Sequence, residues 1–504
     1  MAENQTNQNN NENNESLPPK GTAFSTKQIL AACALLNPTH GRRPILTNVE
    51  EITDDNVIRV LNKAIGVFEQ NKRDAQWLYD YYRGIQPILY REKEIRPEIC
   101  NVVVENRAYE IVTFKTGRFL YKSIQYTNRS EKTLEEVDEL NRMMYADGKA
   151  GKDRELVDWF HIAGDSFRLV VTSDDEGAPF HIYSVSPSEG FVVKRATVDR
   201  KPMMGVIETV IENDDQTNTT VYTVYTDKFV YKIRKGADTW DSKTTHILGD
   251  VPLVEYPLNM ARLGCFEVVI SLLNAINNAQ SNRLDGIEQF IQALLVFKGF
   301  KVNGKQVTQL REEGAICLPE GVDLDYLTRE LNQSQVQTLV DDLYQAVLTI
   351  CGMPNRNGGS STSDNKGAVV LRDGWSAAAT AVKETKQYFE QAERRMLGMV
   401  LKAFNIYRDM VKPERVPLTL SDIDIHFDEG EYENMLEKVQ ALTMMLGNGW
   451  VHPKFAYEVA NLTSDPEAAY IAGKEFHDEQ AKAETEELDA VGRTRVNSYW
   501  RNNL

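Results

Sequence analysis

The chain has 504 residues, of which 42% are hydrophobic and 26% charged, and its formal net charge is −17 at pH 7. This length exceeds one ordinary hydrophobic core, so two to four domains or lobes are expected. The composition is that of a globular protein, and no apolar run approaches the roughly 18 residues that cross a bilayer, so no membrane association is expected. The acidic balance argues against tight phosphate binding, which needs clustered lysine and arginine.

The N-terminal segment is rich in Asn, Gln and Glu. Such a segment buries too little apolar surface to offset its ordering entropy, which predicts a disordered tail over residues 1–22. It has neither the basic nor the apolar region of a secretory signal peptide. Five dispersed cysteines without a Cys-x-x-Cys pair indicate reduced thiols, and not a disulfide framework or a zinc site.

The first half of the chain alternates between helical and strand patterns. Apolar residues recur at three- and four-residue steps over residues 50–83, which predicts a helix. Residues 101–126 are expected to begin as a helix and end as a strand, with Gly117 near the change. A further helix is predicted over 131–163, and the alternation over 166–235 predicts an antiparallel sheet.

The second half is predicted to be mainly helical. A helix is expected from about Phe266, a small β-rich insert over 294–330 and another helix over 333–351. Residues 352–367, GMPNRNGGSSTSDNKG, form the loop richest in Gly, Ser and Asn, longer than most connections between two helices. A long helix is expected from about Ala368 to Tyr407.

Motifs for nucleotide binding and nucleophilic catalysis are absent from the sequence. It contains no Gly-x-x-x-x-Gly-Lys-Ser/Thr, no Gly-x-Ser-x-Gly and no His-Glu-x-x-His. An ATPase or a hydrolase is therefore not indicated, and no cofactor is expected.

The most enzyme-like feature is DIDIHFD, residues 422–428. On a strand, Ile423, Ile425 and Phe427 would share the inner face. The opposite face would carry Asp422, Asp424, His426 and Asp428. Carboxylates and an imidazole can hold a divalent metal in a nuclease, but an ordinary half-buried strand explains the same alternation. A metal-dependent DNA-processing enzyme is therefore kept as the alternative hypothesis.

The order of segments resembles the portal proteins of long-tailed bacteriophages that infect Gram-positive hosts. The resemblance runs from about residue 76 to about residue 475. It is carried by NVVVENRAYEIVTFKTGRFLYKSIQY, LGDVPLVEYPLNMARLGCFEVVISLLNAINNAQSNRLDGIEQF, LYQAVLTICGMPN and NLTSDPEAAYIAGKEF. The second stretch is the most specific, because a Gly-x-Val-Pro strand, a Leu-Gly turn and a long Asn-rich helix follow in the family's order. FLYKSIQY departs from the family, which often has a Gly after an aromatic-Leu pair, and the Asn-rich N-terminus is also outside the pattern.

The resemblance implies an α+β portal fold with a wing, a two-helix stem, a small β-rich clip and a helical crown, assembled as a ring. The implied division of the chain is a tail at 1–22, wing at 23–263, first stem helix at 264–292, clip at 293–330, second stem helix at 331–352, tunnel loop at 353–367, long wing helix at 368–415, and crown with acidic tail at 416–504. A kink in the long wing helix is expected at Asp373-Gly374.

Two sets of site residues follow from the resemblance. The tunnel loop would project into a DNA channel through Arg356, Asn357, Gly358, Gly359, Ser360, Ser361, Thr362, Ser363, Asn365 and Lys366. The first stem helix would contribute Asn274, Asn277, Asn278, Gln280 and Asn282.

On a helical wheel, Asn277 and Gln280 fall in an apolar stripe with Phe266, Leu273, Leu284 and Ile291, and are expected to hydrogen-bond within or between subunits. Asn278 and Asn282 lie opposite, with Ser271 and Gln289, and would line the channel as a neutral surface.

The implied function is a ring, usually of twelve subunits, that forms the channel at one capsid vertex for DNA packaging and ejection. The implied partners are other copies of the chain, double-stranded DNA passing without sequence specificity, the terminase large subunit, a head-completion or adaptor protein, and capsid and scaffolding proteins. The expected location is the virion, with the host cytoplasm during assembly. Such a conduit is not an enzyme, because ATP hydrolysis belongs to the terminase. A different ring-forming head–tail connector is a third possibility.

Overall fold

The computed structural model describes residues 40–94, 96–129, 133–175, 177–213, 217–291, 294–298, 323–327, 333–355, 374–411, 416–427, 435–460, 462–463 and 466–483. The predicted tail at 1–22, the loop residues 356–366 and most of the insert at 293–330 lie outside these ranges. The chain divides into a smaller unit, Met1–Asn37, Pro87–Val103 and Ser281–Leu331, and a larger unit, Pro38–Gln86, Val104–Gln280 and Asn332–Leu504.

The helices are α1 (Val57–Tyr82), α2 (Arg107–Phe119), α3 (Leu134–Ala146), α4 (Lys149–Ala163), α5 (Ile270–Ile291), α6 (Gln333–Ile350), α7 (Trp375–Val411), α8 (Met435–Leu446), α9 (Pro453–Ala460) and α10 (466–483). The strands are β1 (Ile45–Thr47), β2 (Gln125–Asn128), β3 (Asp165–Asp175), β4 (Ala178–Val185), β5 (Gly190–Arg195), β6 (Pro202–Glu212), β7 (Asn218–Tyr225), β8 (Phe229–Arg234), β9 (Ser242–Thr245), β10 (Leu253–Pro257), β11 (Leu294–Lys298), β12 (Asp323–Leu327) and β13 (Ile423–His426). Within the described ranges, no helix is both long and apolar enough to cross a membrane.

The predicted helices are confirmed with shifted ends, except that the pattern over 131–163 forms two helices, α3 and α4, separated at Gly148, whose φ of +72° interrupts a right-handed helix. The pattern over 50–83 becomes α1, which begins at Val57, and the amide of its N-terminal residue bonds the carbonyl of Thr53 at 3.0 Å. The helix expected from residue 101 begins at Arg107, where the Asn106 side chain accepts from the Tyr109 N–H at 3.3 Å. These two helices therefore begin where an acceptor outside the helix is available for a free N–H group, and not at the first apolar residue of the pattern.

The alternating block over 166–235 was predicted as an antiparallel sheet, and the structure divides it between two sheets. One has the order β1-β5-β6-β7-β8-β9 and the other β10-β3-β4. The first is not wholly antiparallel, because β1 pairs in parallel with β5. Alternation identifies a strand but not its partner, and β3 pairs with the distant β10, with Leu169 opposite Leu253.

Three of the apolar clusters among the described residues of the larger unit join helices to these sheets or to one another. α1 covers one face of the six-stranded sheet, where the Phe68 and Phe191 rings stack with centroids 4.4 Å apart. A second core joins α3, α4 and the three-stranded sheet to α7 through Phe389. A third joins α2, α5 and α6. The described helices and the separate sheets fit the predicted α+β class.

The long helix starts later than the sequence suggested. It was expected from about Ala368 with a kink at Asp373-Gly374, but α7 begins at Trp375. Gly374 has a φ of +80°, a left-handed conformation that a right-handed helix cannot continue through. Residues 368–373 lie outside the described residues, and Gly374 forms the turn that directly precedes α7.

A buried polar cluster attaches α7 to the rest of the larger unit. Its members are Tyr126, Lys149, Asp153, Arg168, Tyr256 and Glu393, called the Glu393 cluster below. The Glu393 carboxylate accepts from the Tyr256 hydroxyl at 2.7 Å and lies 3.1 Å from the Lys149 ammonium and 3.3 Å from the Arg168 guanidinium. Both side chains of the Arg168–Glu393 pair are fully buried.

The charges in the Glu393 cluster balance. Asp153 lies 2.5 Å from both Lys149 and Arg168, so two carboxylates face two cations. Burial acts to raise the pKa of Glu393, but the Lys149 and Arg168 cations outweigh it and hold that pKa below its ordinary value. The carboxylate is therefore ionised in the folded protein at neutral pH.

Replacing Glu393 with Gln is expected to lower the free energy of unfolding by about 3 kcal/mol, because two buried cations would share one carboxylate. Chemical denaturation of the purified protein measures this. The matched control is Glu390→Gln on the same helix, where the side chain is 41% exposed and pairs with Arg394, so a change within about 0.5 kcal/mol is expected.

The effect of Glu393→Gln should also depend on pH. Since the folded pKa lies below the ordinary 4.5, the stabilisation by Glu393 is complete above that pH and is lost as the pH falls toward the folded pKa. The difference between the two proteins should therefore shrink in acid. A difference that grew in acid, or equal effects of the two substitutions, would contradict the role of this carboxylate.

Candidate functional site

Helix α5 contains the amide-rich stretch and contributes to both units, up to Gln280 in the larger and from Ser281 in the smaller. It follows a short 3-10 helix, Glu267–Val269. The buried Glu267 carboxylate accepts from the Gly41 and Gly264 N–H groups at 3.0 and 2.8 Å. These bonds fix the start of the helix.

Three of the predicted amides make hydrogen bonds inside the larger unit. Asn277 is fully buried, and its Oδ1 accepts from the Glu105 N–H at 2.8 Å while its Nδ2 donates to Gln86 Oε1. Gln280 Nε2 donates to Glu105 Oε2 at 2.9 Å. Asn274 Oδ1 accepts from the Tyr81 hydroxyl at 3.0 Å. Of the two expectations for Asn277 and Gln280, bonding within the subunit is therefore the one observed.

A stripe of neutral polar residues lies on the opposite side of α5 and is called the neutral stripe. Its members are Ser271, Asn278, Asn282 and Gln289. All four are exposed, and spacings of seven, eleven and eighteen residues from the first place them on one face. The Asn282 Oδ1 also accepts from the Arg91 guanidinium.

The predicted apolar stripe is partly wrong. Phe266 and Leu273 are buried, as expected, but Leu284 is 43% exposed. Among the α5 residues of the smaller unit whose burial is described, 281–289, the buried ones are Ser281 and Asp285. A helical wheel predicts one continuous buried face only if the helix packs against the same neighbour along its whole length. The two ends of α5 have different neighbours, so this condition is not met.

The sequence reasoning missed Asp285, the central residue of the smaller unit. Its carboxylate accepts from the Asn101 N–H at 2.7 Å and lies 2.9 Å from the Arg91 guanidinium. Burial acts to raise its pKa, but the Lys93 ammonium and the Asn101 donors outweigh this and lower the pKa. The sequence did contain a signal for this contact. Asp285 is an isolated acidic residue after the amides of α5, and its partners Arg91 and Lys93 lie shortly before the NVVV stretch, residues 101–104.

Helix α6 lies beside α2 in the larger unit. The Tyr344 hydroxyl donates to Glu110 Oε1 at 2.9 Å, and the Arg107 guanidinium lies 4.0 Å from the centre of the Tyr344 ring. The helix ends at Ile350, Gly352 follows with φ +60°, and the Met353 N–H donates to the Leu348 carbonyl at 2.8 Å. The ten candidate loop residues between 356 and 366 follow this end and lie outside the described residues.

The proposed metal-binding face is not assembled in the described part of the chain. Asp422 precedes the strand, in a 3-10 helix, where it accepts from the Thr419 N–H at 2.9 Å. Asp424 pairs with the Arg129 guanidinium. Ile423 is buried as expected, and Asp428 lies outside the described residues. No group of three metal-ligating side chains occurs among the residues described.

Replacing Asn277 with Leu is expected to lower the free energy of unfolding by about 2 kcal/mol or more, because the Glu105 N–H and the Gln86 amide would lose their buried partner. The neighbouring Asn278→Leu, on the exposed neutral stripe, is the matched control and should stay within about 0.5 kcal/mol. Denaturant unfolding of both variants measures the difference. Equal effects at the two positions would show that the buried bonds contribute little.

Comparisons with known proteins identify the family of the chain. The model of the family described as phage portal protein, SPP1 Gp6-like, matches residues 61–492, which include α5, α6 and α7. A search of curated proteins gives no match. Among solved structures, the chain is similar to a chain from the virion of a native gene transfer agent particle, with 12% identity and a TM-score of 0.37, over 77% of this chain and 94% of that one. Because the family model matches most of the length of the chain, the chain belongs to the SPP1 Gp6-like family of phage portal proteins.

Proposed function

We propose that the chain forms the ring-shaped channel at one vertex of a phage capsid, with twelve subunits, through which DNA enters during packaging and leaves during ejection. The observation that carries this proposal is the family match over residues 61–492. Portal families are structural, and their members form homo-oligomeric rings in virion particles. The proposed location is therefore the virion, with the host cytoplasm during assembly.

The neutral stripe of α5 supports a role as a channel wall. Each lysine or arginine on a phosphate adds salt-dependent affinity, so a wall of amides and hydroxyls holds DNA less tightly than a basic one. Asn278 and Asn282 would face the DNA, while Asn277 and Gln280 hold the helix to the rest of its own subunit. The net charge of −17 fits a conduit that DNA passes through without being retained.

The remaining assignments follow the family. We assign α5 and α6 to the stem, and the antiparallel pair β11 and β12 to the clip between them. The clip would dock the terminase large subunit during packaging and then the head-completion or adaptor protein. Residues 353–367 would form the tunnel loop, and residues 416–504 the crown and acidic tail. Capsid and scaffolding proteins would contact the outside of the ring.

No second function is favoured. The metal-dependent nuclease would need Asp422 and Asp424 as ligands, but the first caps a 3-10 helix and the second pairs with Arg129. Incubation of the purified protein with plasmid DNA and divalent metal ions tests this directly. Cleavage that is lost in Asp424→Ala would overturn the purely structural function.

Negative-stain microscopy of the purified protein is expected to show turbine-shaped rings with a central hole. Native mass measurement should give twelve times the 57.3 kDa chain mass. A ring of another subunit number would correct the stoichiometry and keep the function. A monomer that persists at high concentration would reject the proposed ring.

Deletion of residues 358–365 is expected to leave ring assembly intact and to reduce the amount of nuclease-protected DNA in particles, because the loop that touches the moving DNA would be shortened. The matched control replaces the same residues with Gly and Ser at unchanged length, which separates loop length from side-chain chemistry. Unchanged packaging after the deletion would reject the assignment of the tunnel loop.

A further inference from the structure

Strand β1 lies at an edge of the six-stranded sheet and pairs only with β5, in parallel. On that side, the Thr47 carbonyl accepts from the Ala196 N–H at 2.8 Å. Alternate residues of a strand direct their backbone groups to opposite neighbours, so the N–H and C=O of Leu46 point away from β5. Neither group bonds another residue in the part of the chain that the structure describes, and Leu46 is 39% exposed.

A groove of about 470 Å³ lies between β1 and α1. Residues 46–49 form one wall, and Arg59, Val60 and Lys63 form the other. A strand edge with free backbone groups can take an extended segment of another chain as an additional strand. Pro44, directly before β1, has no N–H to offer, so the edge is short. A partner therefore needs contacts in the groove as well as backbone pairing.

Two cations without a partner border this groove. Arg59 and Lys63 lie four residues apart, which places them on one face of α1, and both are exposed. Among the described residues neither forms an ion pair, whereas Lys72 on the same helix pairs with Glu208. Like charges at this spacing repel each other, so an anion placed between them would be stabilising. The groove therefore joins free backbone groups to uncompensated positive charge.

We propose that β1 and this groove bind an extended acidic segment of another protein, which joins the sheet as a further strand. Its backbone would bond the Leu46 N–H and C=O, and its carboxylates would pair with Arg59 and Lys63. A second copy that presented its own β1 would bring four cations together, so the charges favour an acidic partner over a symmetric dimer. The surface goes beyond the proposed function, because it is defined without the channel or DNA.

Binding of a labelled synthetic peptide to the purified full-length protein tests this surface. The probe is a short peptide with capped ends that alternates valine and glutamate, and its control has lysine in place of glutamate. The net charge of −17 would favour the lysine peptide if the attraction were non-specific. Fluorescence anisotropy is expected to show the opposite preference, by about tenfold or more. Equal affinities, or tighter binding of the lysine peptide, would overturn the proposal.

Lys63→Glu is expected to weaken binding of the glutamate peptide by about fivefold or more, because repulsion replaces attraction. The matched control is Arg73→Glu, the same change of charge at an exposed position of α1 outside the groove, which should stay within about twofold. Equal losses in the two variants would overturn the assignment. A double-stranded oligonucleotide that displaced the peptide and depended equally on Lys63 would assign the surface to nucleic acid and overturn the protein partner.

Hydrogen exchange measures the added strand separately from the charges. The glutamate peptide is expected to slow exchange over residues 45–49 and to leave β9, the other edge strand of the same sheet, unchanged. Unchanged exchange at both edges would show binding by charge alone and would overturn the added strand. Slow exchange of the Leu46 amide before peptide is added would show that a second copy or the chain's own N-terminal segment already covers this edge, and would also overturn it.

Discussion

The fold of the larger unit depends on the neutralisation of charges that are buried together. Arg168 and Glu393 have no exposed side-chain surface, and such charges are tolerated inside a protein only when paired and hydrogen-bonded. The members of the Glu393 cluster come from five elements of the chain: β2, α4, β3, β10 and α7. Any arrangement that moved α7 away from the three-stranded sheet would leave Asp153 alone to neutralise the buried Lys149 and Arg168, so the cluster selects one position for the longest described helix.

The position of α7 in turn determines where the connection from α6 must end. Gly374 lies beside Met353, and Trp375 lies against Phe114 of α2. The turn before α5 is held by Glu267, and Cys265 in that turn packs against the core that contains Phe389 of α7. The buried charges and the start of α5 are therefore parts of one framework. In the proposed ring, this framework would hold the channel helix and the base of the loop in a fixed relation within each subunit.

Much of the secondary structure was predictable because helices and strands carry local signals. The apolar period located α1, α5 and α6, and alternation located β3 to β8 and β13 but not β1 or β9. The pairing of strands was not predictable, since β3 pairs with β10 although six other strands lie between them in the chain. The candidate metal face shows the same limit. Alternation placed Ile423 correctly, but only the fold shows that Asp424 pairs with Arg129, a cation that is distant in sequence.

The sequence by itself determined the family, the order of the helices and strands, and the existence of a helix rich in neutral amides. These features are local or depend on order along the chain. Tertiary structure decided what each amide does. Asn277 and Asn278 are adjacent and chemically identical, yet one is fully buried against Glu105 and Gln86 while the other is exposed. A rotation of 100° between successive residues separates them, and the direction of the buried face is set by neighbours that no local pattern specifies.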